Sequence, residues 1–175
     1  IEIYKGVVPA SLGTDALGGA INIITKQDKK NYLDVSYGIG SFHTHKADLN
    51  AQFVEPKTGL IIRPTVGVNY SKNDYRMKDV QMRDESGDNF IYGNPKRFHD
   101  DYFSLLGQIE VGVANRSWAD AFFVSASYSK TDKELQTGSV QDKVYGMAEK
   151  NSDAWNISAH YQKRNFILKN MQLNA

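Results

Sequence analysis

Leu60-Ile-Ile-Arg-Pro-Thr-Val-Gly-Val-Asn-Tyr-Ser71 is the stretch on which the fold turns. Leu60, Ile62, Pro64, Val66, Val68 and Tyr70 occupy one phase of it, and Arg63, Thr65, Gly67, Asn69 and Ser71 the other. Successive side chains of a strand point to opposite sides of its sheet, so this period of two predicts a strand with one apolar and one polar face.

The same split recurs on both sides. Upstream, Leu33, Val35, Tyr37 and Ile39 oppose Asp34, Ser36, Gly38 and Gly40, and then Ala47, Leu49, Ala51 and Phe53 oppose Asp48, Asn50 and Gln52. Downstream, Phe103, Leu105, Ile109, Val111 and Val113 oppose Ser104, Gln108, Glu110 and Gly112, with Gly107 the small member of the apolar row. Phe122, Val124, Ala126 and Tyr128 oppose Ser125, Ser127 and Ser129, and Trp155, Ile157, Ala159 and Tyr161 oppose Asn156, Ser158, His160 and Gln162. A further strand is expected from about Phe166 to the end, where Lys169 interrupts the row of Ile167, Met171 and Leu173.

The connections alternate in length. Glu55 to Gly59, Asn115 to Trp118 and Lys163 to Asn165 are short; the excursions from about Asn73 to Asp100 and from about Thr131 to Ser152 are long and polar. Bacterial outer-membrane barrels have such ends, with short periplasmic turns and longer outer loops. The tight connection from Ser41 to Thr44 falls on the long-loop side and is the exception. Alternation alone fits a soluble β-sandwich or lipocalin-like barrel equally well, because it does not say which face meets lipid. Two features favour the membrane. The polar rows mix charges, amides and hydroxyls, as a wet lumen requires. Aromatics (Tyr32, Phe42, Tyr70, Tyr102, Trp118, Tyr128, Trp155, Tyr161) gather near strand ends, as interfacial girdles do.

Composition sets outer bounds. Lys and Arg total 21 against 20 Asp and Glu, a net charge of +1 with no concentrated basic segment, which argues against nucleic acid as a partner. With no cysteine there is no disulfide scaffold, thiolate metal site or cysteine nucleophile. No apolar run reaches the ~18 residues of a membrane helix, whereas a barrel strand needs only ~9 to 11 alternating residues. The chain opens on Ile-Glu-Ile-Tyr without an initiator Met or an apolar leader, which reads as the start of a fragment.

The opening segment, Ile1-Glu-Ile-Tyr-Lys-Gly-Val-Val-Pro-Ala-Ser-Leu-Gly-Thr-Asp-Ala-Leu-Gly-Gly-Ala-Ile-Asn-Ile-Ile-Thr-Lys26, follows a different pattern. Ile1 to Lys5 reads as a strand stopped by Gly6, and Ala20 to Thr25 as a strand launched by Gly18 and Gly19, whose missing Cβ allows a close backbone approach. Thr14 to Leu17 is expected to form a helical turn capped by Thr14 or Asp15. This segment resembles the close of the plug domain in TonB-dependent outer-membrane receptors: an Ile-Glu-x-Tyr-Lys-Gly strand, then Pro-x-x-x-Gly, then Gly-Gly-x-Ile-Asn-Ile-Ile-Thr-Lys. The motif is specific because ordered Gly, Pro, Asn and apolar positions coincide, but it covers only these opening residues.

The resemblance implies an all-β chain: the end of a plug over residues 1–26, a linker over 27–31, and about seven strands of a transmembrane antiparallel β-barrel over 32–175. A plugged transporter barrel has ~22 strands, so about seven do not close one. Lys5, Gly6, Pro9, Gly13, Gly18, Gly19, Asn22 and Thr25 then carry the structural plug motif. The implied activity is import of a scarce nutrient (siderophore, haem, cobalamin, oligosaccharide or peptide) driven by the inner-membrane TonB complex, with outer-membrane lipid as the surroundings and a surface lipoprotein left open as helper. A non-transporting surface or adhesion barrel and a soluble β-barrel ligand binder are the alternatives.

Other chemistry is weakly signalled, and neither an enzyme nor a cofactor is expected. Gly13 to Gly19 lacks the Lys-Ser/Thr and long helix of a phosphate loop. His43 and His45 would share a face if extended, and with His99 they are the histidines to weigh as metal or haem ligands; solvated loop positions explain them more simply. Asp84 to Asp88 lacks the spacing and closing Glu of a calcium loop. Asp100 and Asp101 have no partner base in a defined turn. The loop from Asn73 to Asp100 combines aromatic, methionine and basic residues, and Tyr75, Arg76, Arg83, Tyr92 and Arg97 are its candidates for gripping an amphipathic ligand. The polar rows, with Arg63, Asn69, Gln108 and Glu110, are expected to hydrate the lumen or hold the plug.

Overall fold

The computed structural model describes residues 2–6, 8, 18–22, 30–138, 143–167 and 171–174. Among them there is no helix, so none is long and apolar enough to cross a membrane, a fact that says nothing of a barrel. Eleven strands are present: β1 (Glu2–Lys5), β2 (Gly19–Asn22), β3 (Tyr32–Gly40), β4 (Thr44–Glu55), β5 (Leu60–Ser71), β6 (Val80–Arg83), β7 (Phe90–Gly93), β8 (Tyr102–Ala114), β9 (Ala121–Glu134), β10 (Glu149–Arg164) and β11 (Gln172–Asn174). The described residues are therefore all-β, and every strand pairing among them is antiparallel.

One seven-stranded sheet, in the order β11-β10-β9-β8-β5-β4-β3, carries the alternating sequence. It is a meander in which the β6-β7 hairpin is inserted between the neighbours β5 and β8. β1 and β2 form a separate two-stranded sheet, pairing Glu2 with Asn22 and Lys5 with Gly19. A Cβ at Gly19 would lie 2.4 Å from the Tyr4 carbonyl oxygen, so the close approach expected there is real. Of the opening segment, Pro9, Gly13, the turn at 14–17 and Thr25 lie outside the described residues.

The connections keep the expected alternation, with turns at 56–59 and 115–120 on one end and the segments 72–101 and 135–148 on the other. At the turn after β4 the Gly59 N-H donates to the Glu55 carbonyl at 2.7 Å, and Gly59 has φ of 66°. The turn after β3 places Phe42 and His43 at φ of 60° and 57°, a conformation that costs a non-glycine residue about 1–2 kcal/mol. The Phe42 ring, held edge-on against Tyr75 at 5.6 Å, offsets part of that cost.

Three expectations need correction. The second long excursion is shorter than Thr131 to Ser152, because Thr131 to Glu134 continue β9 and pair with Glu149 to Ser152 of β10; charged side chains leave the backbone ladder free to extend. The first excursion contains the β6-β7 hairpin, closed by the Asp84 turn. The final strand does not begin at Phe166: residues 165–167 bend, and β11 covers only Gln172–Asn174, pairing with Gln162 to Arg164.

Candidate functional site

The pairings put the apolar phases of all the long strands on one side of the sheet. Val35 opposes Leu49, which opposes Val66; Val68 opposes Leu105; Ile109 opposes Ala126, which opposes Ile157. Nothing among the described residues covers this face. Val35 is 68% exposed, Ile109 48% and Ile157 77%, and the few buried apolar residues are mostly small alanines. The total accessible surface of 12894 Å² is half as much again as the ~8,600 Å² expected of a compact globule of this mass.

The apolar face is banded. Toward the end that carries the long segments, His45 stacks between Tyr37 and Tyr70, and Tyr128 packs on Trp155 with ring centroids 4.5 Å apart. Toward the opposite end Trp118, Phe122 and Tyr161 form a second cluster, and the Tyr161 hydroxyl donates to the Trp118 carbonyl at 2.7 Å. Charges follow these aromatics along their strands: Lys130, Asp132 and Glu134 past Tyr128, Asp153 and Glu149 past Trp155, and Lys163 past Tyr161, with Lys130 and Asp132 paired to Leu105 and Phe103 of β8 and Glu55 paired to Leu60. On β5 the row from Leu60 to Tyr70 measures about 33 Å along the strand.

The other face is polar and bonds to itself. The Ser36 hydroxyl donates to Asp48 at 3.1 Å, and Ser125 and Ser158 share a hydrogen bond of 2.7 Å. Arg63 donates to Glu110 at 2.5 Å and to the Gln52 amide oxygen at 2.8 Å while its guanidinium lies 4.9 Å from the Phe123 ring centre. Lys46, Asp48, Asn69, Ser104 and Thr131 line a shallow recess of about 450 Å³ on the sheet, into whose wall the apolar Leu106, in phase with Ser104, also enters.

At the end with the long segments, loops 72–101 and 135–148 are joined by buried polar groups. Gln136, 3% exposed, accepts from the Phe98 N-H at 2.7 Å and from the His99 N-H at 3.3 Å. Asp100, 8% exposed, is paired with Arg97 at 2.8 Å and with Lys133. Asp74 receives Lys96 at 2.8 Å and His43 at 3.3 Å, and the Lys96 ammonium, followed by His43, holds its carboxyl below the usual range.

These contacts sort the ligand-loop candidates. Arg97 and Tyr75 are structural: Arg97 is bound to Asp100 and lies 5.7 Å from the Tyr75 ring, and Tyr75 packs on Phe42. Arg76 donates to the Asn94 carbonyl at 2.9 Å. Arg83 and Tyr92 share one face of the β6-β7 hairpin with Gln81 and Phe90, since Gln81 pairs with Tyr92 and Arg83 with Phe90. Tyr92 is 68% exposed, and Arg83 lies over the Phe90 ring at 4.2 Å. The structure therefore does not gather the five into one site.

The metal-ligand alternatives fare no better. His43 is in the left-handed region, so it does not share an extended face with His45, whose Nδ1 is bonded to the Tyr37 hydroxyl at 2.7 Å. Asp84 is filled by its own turn: it accepts from the Ser86 hydroxyl at 2.7 Å, the Gly87 N-H at 2.9 Å and the Asn89 side-chain amide at 2.9 Å. Those bonds, the Ser86 hydroxyl foremost, lower its pKa strongly.

Gln52 and Gln136 are the residues whose importance the alternation hid, since each reads as one more polar position; only burial marks them, at 4% and 3% exposure. Of the opening motif, Lys5, Gly6, Gly18, Gly19 and Asn22 lie in or beside the β1-β2 pair, with Gly6 at φ of 85°. No protein-family model matches the chain, and neither a curated protein nor a solved structure matches it.

Proposed function

We propose that the seven-stranded sheet is a section of the wall of an outer-membrane β-barrel, that the β1-β2 pair belongs to a plug, and that the intact protein imports a scarce nutrient with energy delivered by an inner-membrane TonB-type partner. The observation that carries this reading is the bare, aromatic-bounded apolar face set against a hydrogen-bonded polar one. A soluble sandwich covers its apolar face with a second sheet, whereas lipid covers it in a barrel wall. At a strand tilt of about 40°, the 33 Å row on β5 projects to about 25 Å, the height of the apolar band of such barrels. Aromatic clusters at both limits of the row agree with interfacial girdles. The sequence from Ile1 to Lys26 supports the plug.

In this reading the polar face hydrates the lumen, and the segments 72–101 and 135–148 lie on the outer side. The exposed face of the β6-β7 hairpin, with Arg83 and Tyr92, offers the outer loops a first contact for a nutrient. No bond is made or broken in the cargo. Import needs a binding site that weakens when the plug is displaced, since a site equally tight in both states would shift no population. The test is fractionation of the intact protein: it should sediment with the outer membrane and run as a heat-modifiable band. A protein fully soluble without detergent would contradict the proposal.

A further inference from the structure

Where the chain passes from the β1-β2 pair toward β3, two hydrogen bonds fix it to the sheet. The Gln52 side-chain amide donates to the Lys30 carbonyl at 2.8 Å, and the Asn31 side-chain oxygen accepts from the Val54 N-H at 2.6 Å. The β3-β4 ladder ends at Tyr32 and Gln52, so Asn31 supplies Val54 with a bond that the ladder no longer does. Gln52 belongs to the polar phase, and residue 30 therefore lies over the polar face.

The orientation of the Gln52 amide is dictated. Arg63 only donates, so the Gln52 oxygen must face its Nε at 2.8 Å, and the Gln52 nitrogen must then face the acceptor on Lys30. Arg63 is itself held by Glu110 on β8 and by the Phe123 ring on β9. Four adjacent strands thus converge on one donor aimed at the incoming chain, and at 4% exposure the group is shielded from competing water.

We propose that Gln52, fixed by Arg63 and Glu110, is a positioning residue for import: it anchors the chain at residues 30–31 to the lumen wall, so that displacement of the plug pivots about this point and does not peel β3 from the sheet. This rests on the plug-and-wall reading above. An unanchored chain would pass the pull directly to β3, the edge of the described sheet.

The test places a nitroxide on residue 30 of the intact protein in outer-membrane vesicles, through Lys30→Cys, a position that contributes only its backbone carbonyl to the contact. Gln52→Leu should raise the ratio of mobile to immobilised label about fivefold, as expected for loss of one ordinary hydrogen bond. Gln52→Glu should act alike, because it keeps the Arg63 link but turns an acceptor toward the Lys30 carbonyl. A label at Lys57, in the turn after β4, should not respond. Should Gln52→Leu lose its heat-modifiable form, Gln52→Glu decides the matter. An unchanged residue-30 spectrum in a folded Gln52 variant overturns the anchor, whereas a parent protein without a heat-modifiable outer-membrane form overturns the reading beneath it.

Discussion

Replacing Ile109 by lysine sets the proposed lipid face against water in a single position. On β8, Ile109 lies six residues from Phe103 and four from Val113, about 20 and 13 Å along the strand, or roughly 15 and 10 Å from the two limits of the band at a 40° tilt. It is near mid-depth, and 48% of it is uncovered by protein. A lysine at the midplane of a barrel's lipid face costs about 2–4 kcal/mol, falling to about 0–1 near the interfaces. The same change at a water-exposed position shifts stability by no more than about 0.5 kcal/mol. Ile109→Lys should therefore lose about 2–4 kcal/mol, Val113→Lys about 1, and Gln108→Lys, on the polar face between Thr65 and Ser127, under about 0.5. Equilibrium guanidinium unfolding of the intact protein in phospholipid vesicles reads all three. Equal and negligible costs at 108 and 109 would refute the assignment of the faces.

Further expectations follow from individual contacts. Gly59→Ala should cost about 1–2 kcal/mol, because φ is 66° and the new Cβ would lie 2.5 Å from the Arg116 guanidinium that donates to the Lys57 carbonyl; the unfolding midpoint and hydrogen exchange of the 56–59 turn report it. Gln136→Ala leaves the Phe98 and His99 N-H groups without their acceptor, a cost of about 1–3 kcal/mol, and limited proteolysis should then cut within 72–101 or 135–148 before the strands. The Asp84 turn holds its carboxyl below the ordinary range, so its stabilisation is complete above that range and is lost only as pH falls through the lowered value; hydrogen exchange at Gly87 and Asn89 should stay slow at pH 4 and rise at more acid pH, and Asp84→Ala should remove this dependence.

The fold class was legible because one elementary fact, the opposed direction of successive side chains, writes itself into the sequence whenever the two faces meet different surroundings. Leu60 to Ser71, β3 and β8 therefore appeared with nearly their true limits. The extension of β9 to Glu134 did not, since Lys130, Asp132 and Lys133 look like loop residues although their backbone continues the ladder with β10. The β6-β7 hairpin was hidden for a related reason: four residues a side is too short for a periodic signal, and only Asp84 and Gly87 marked its turn. The loop candidates illustrate a further limit. Arg97 and Arg83 have the same chemistry in the sequence, but Asp100 takes one into the loop interior while the hairpin presents the other to solvent. Gln52 matters through what converges on it, and convergence of strands distant in the chain is a property of register that composition does not express.

The face assignment of β8 tests the account most directly. Single cysteines at each position from Leu105 to Val113 of the intact membrane-embedded protein, labelled with nitroxide, report collisions with oxygen, which concentrates in lipid, and with a water-soluble nickel complex. The account predicts a period of two, with 105, 109, 111 and 113 accessible to oxygen and 106, 108, 110 and 112 to nickel or to neither. Nickel access at 109 and 111 equal to that at 108 and 110 would contradict it.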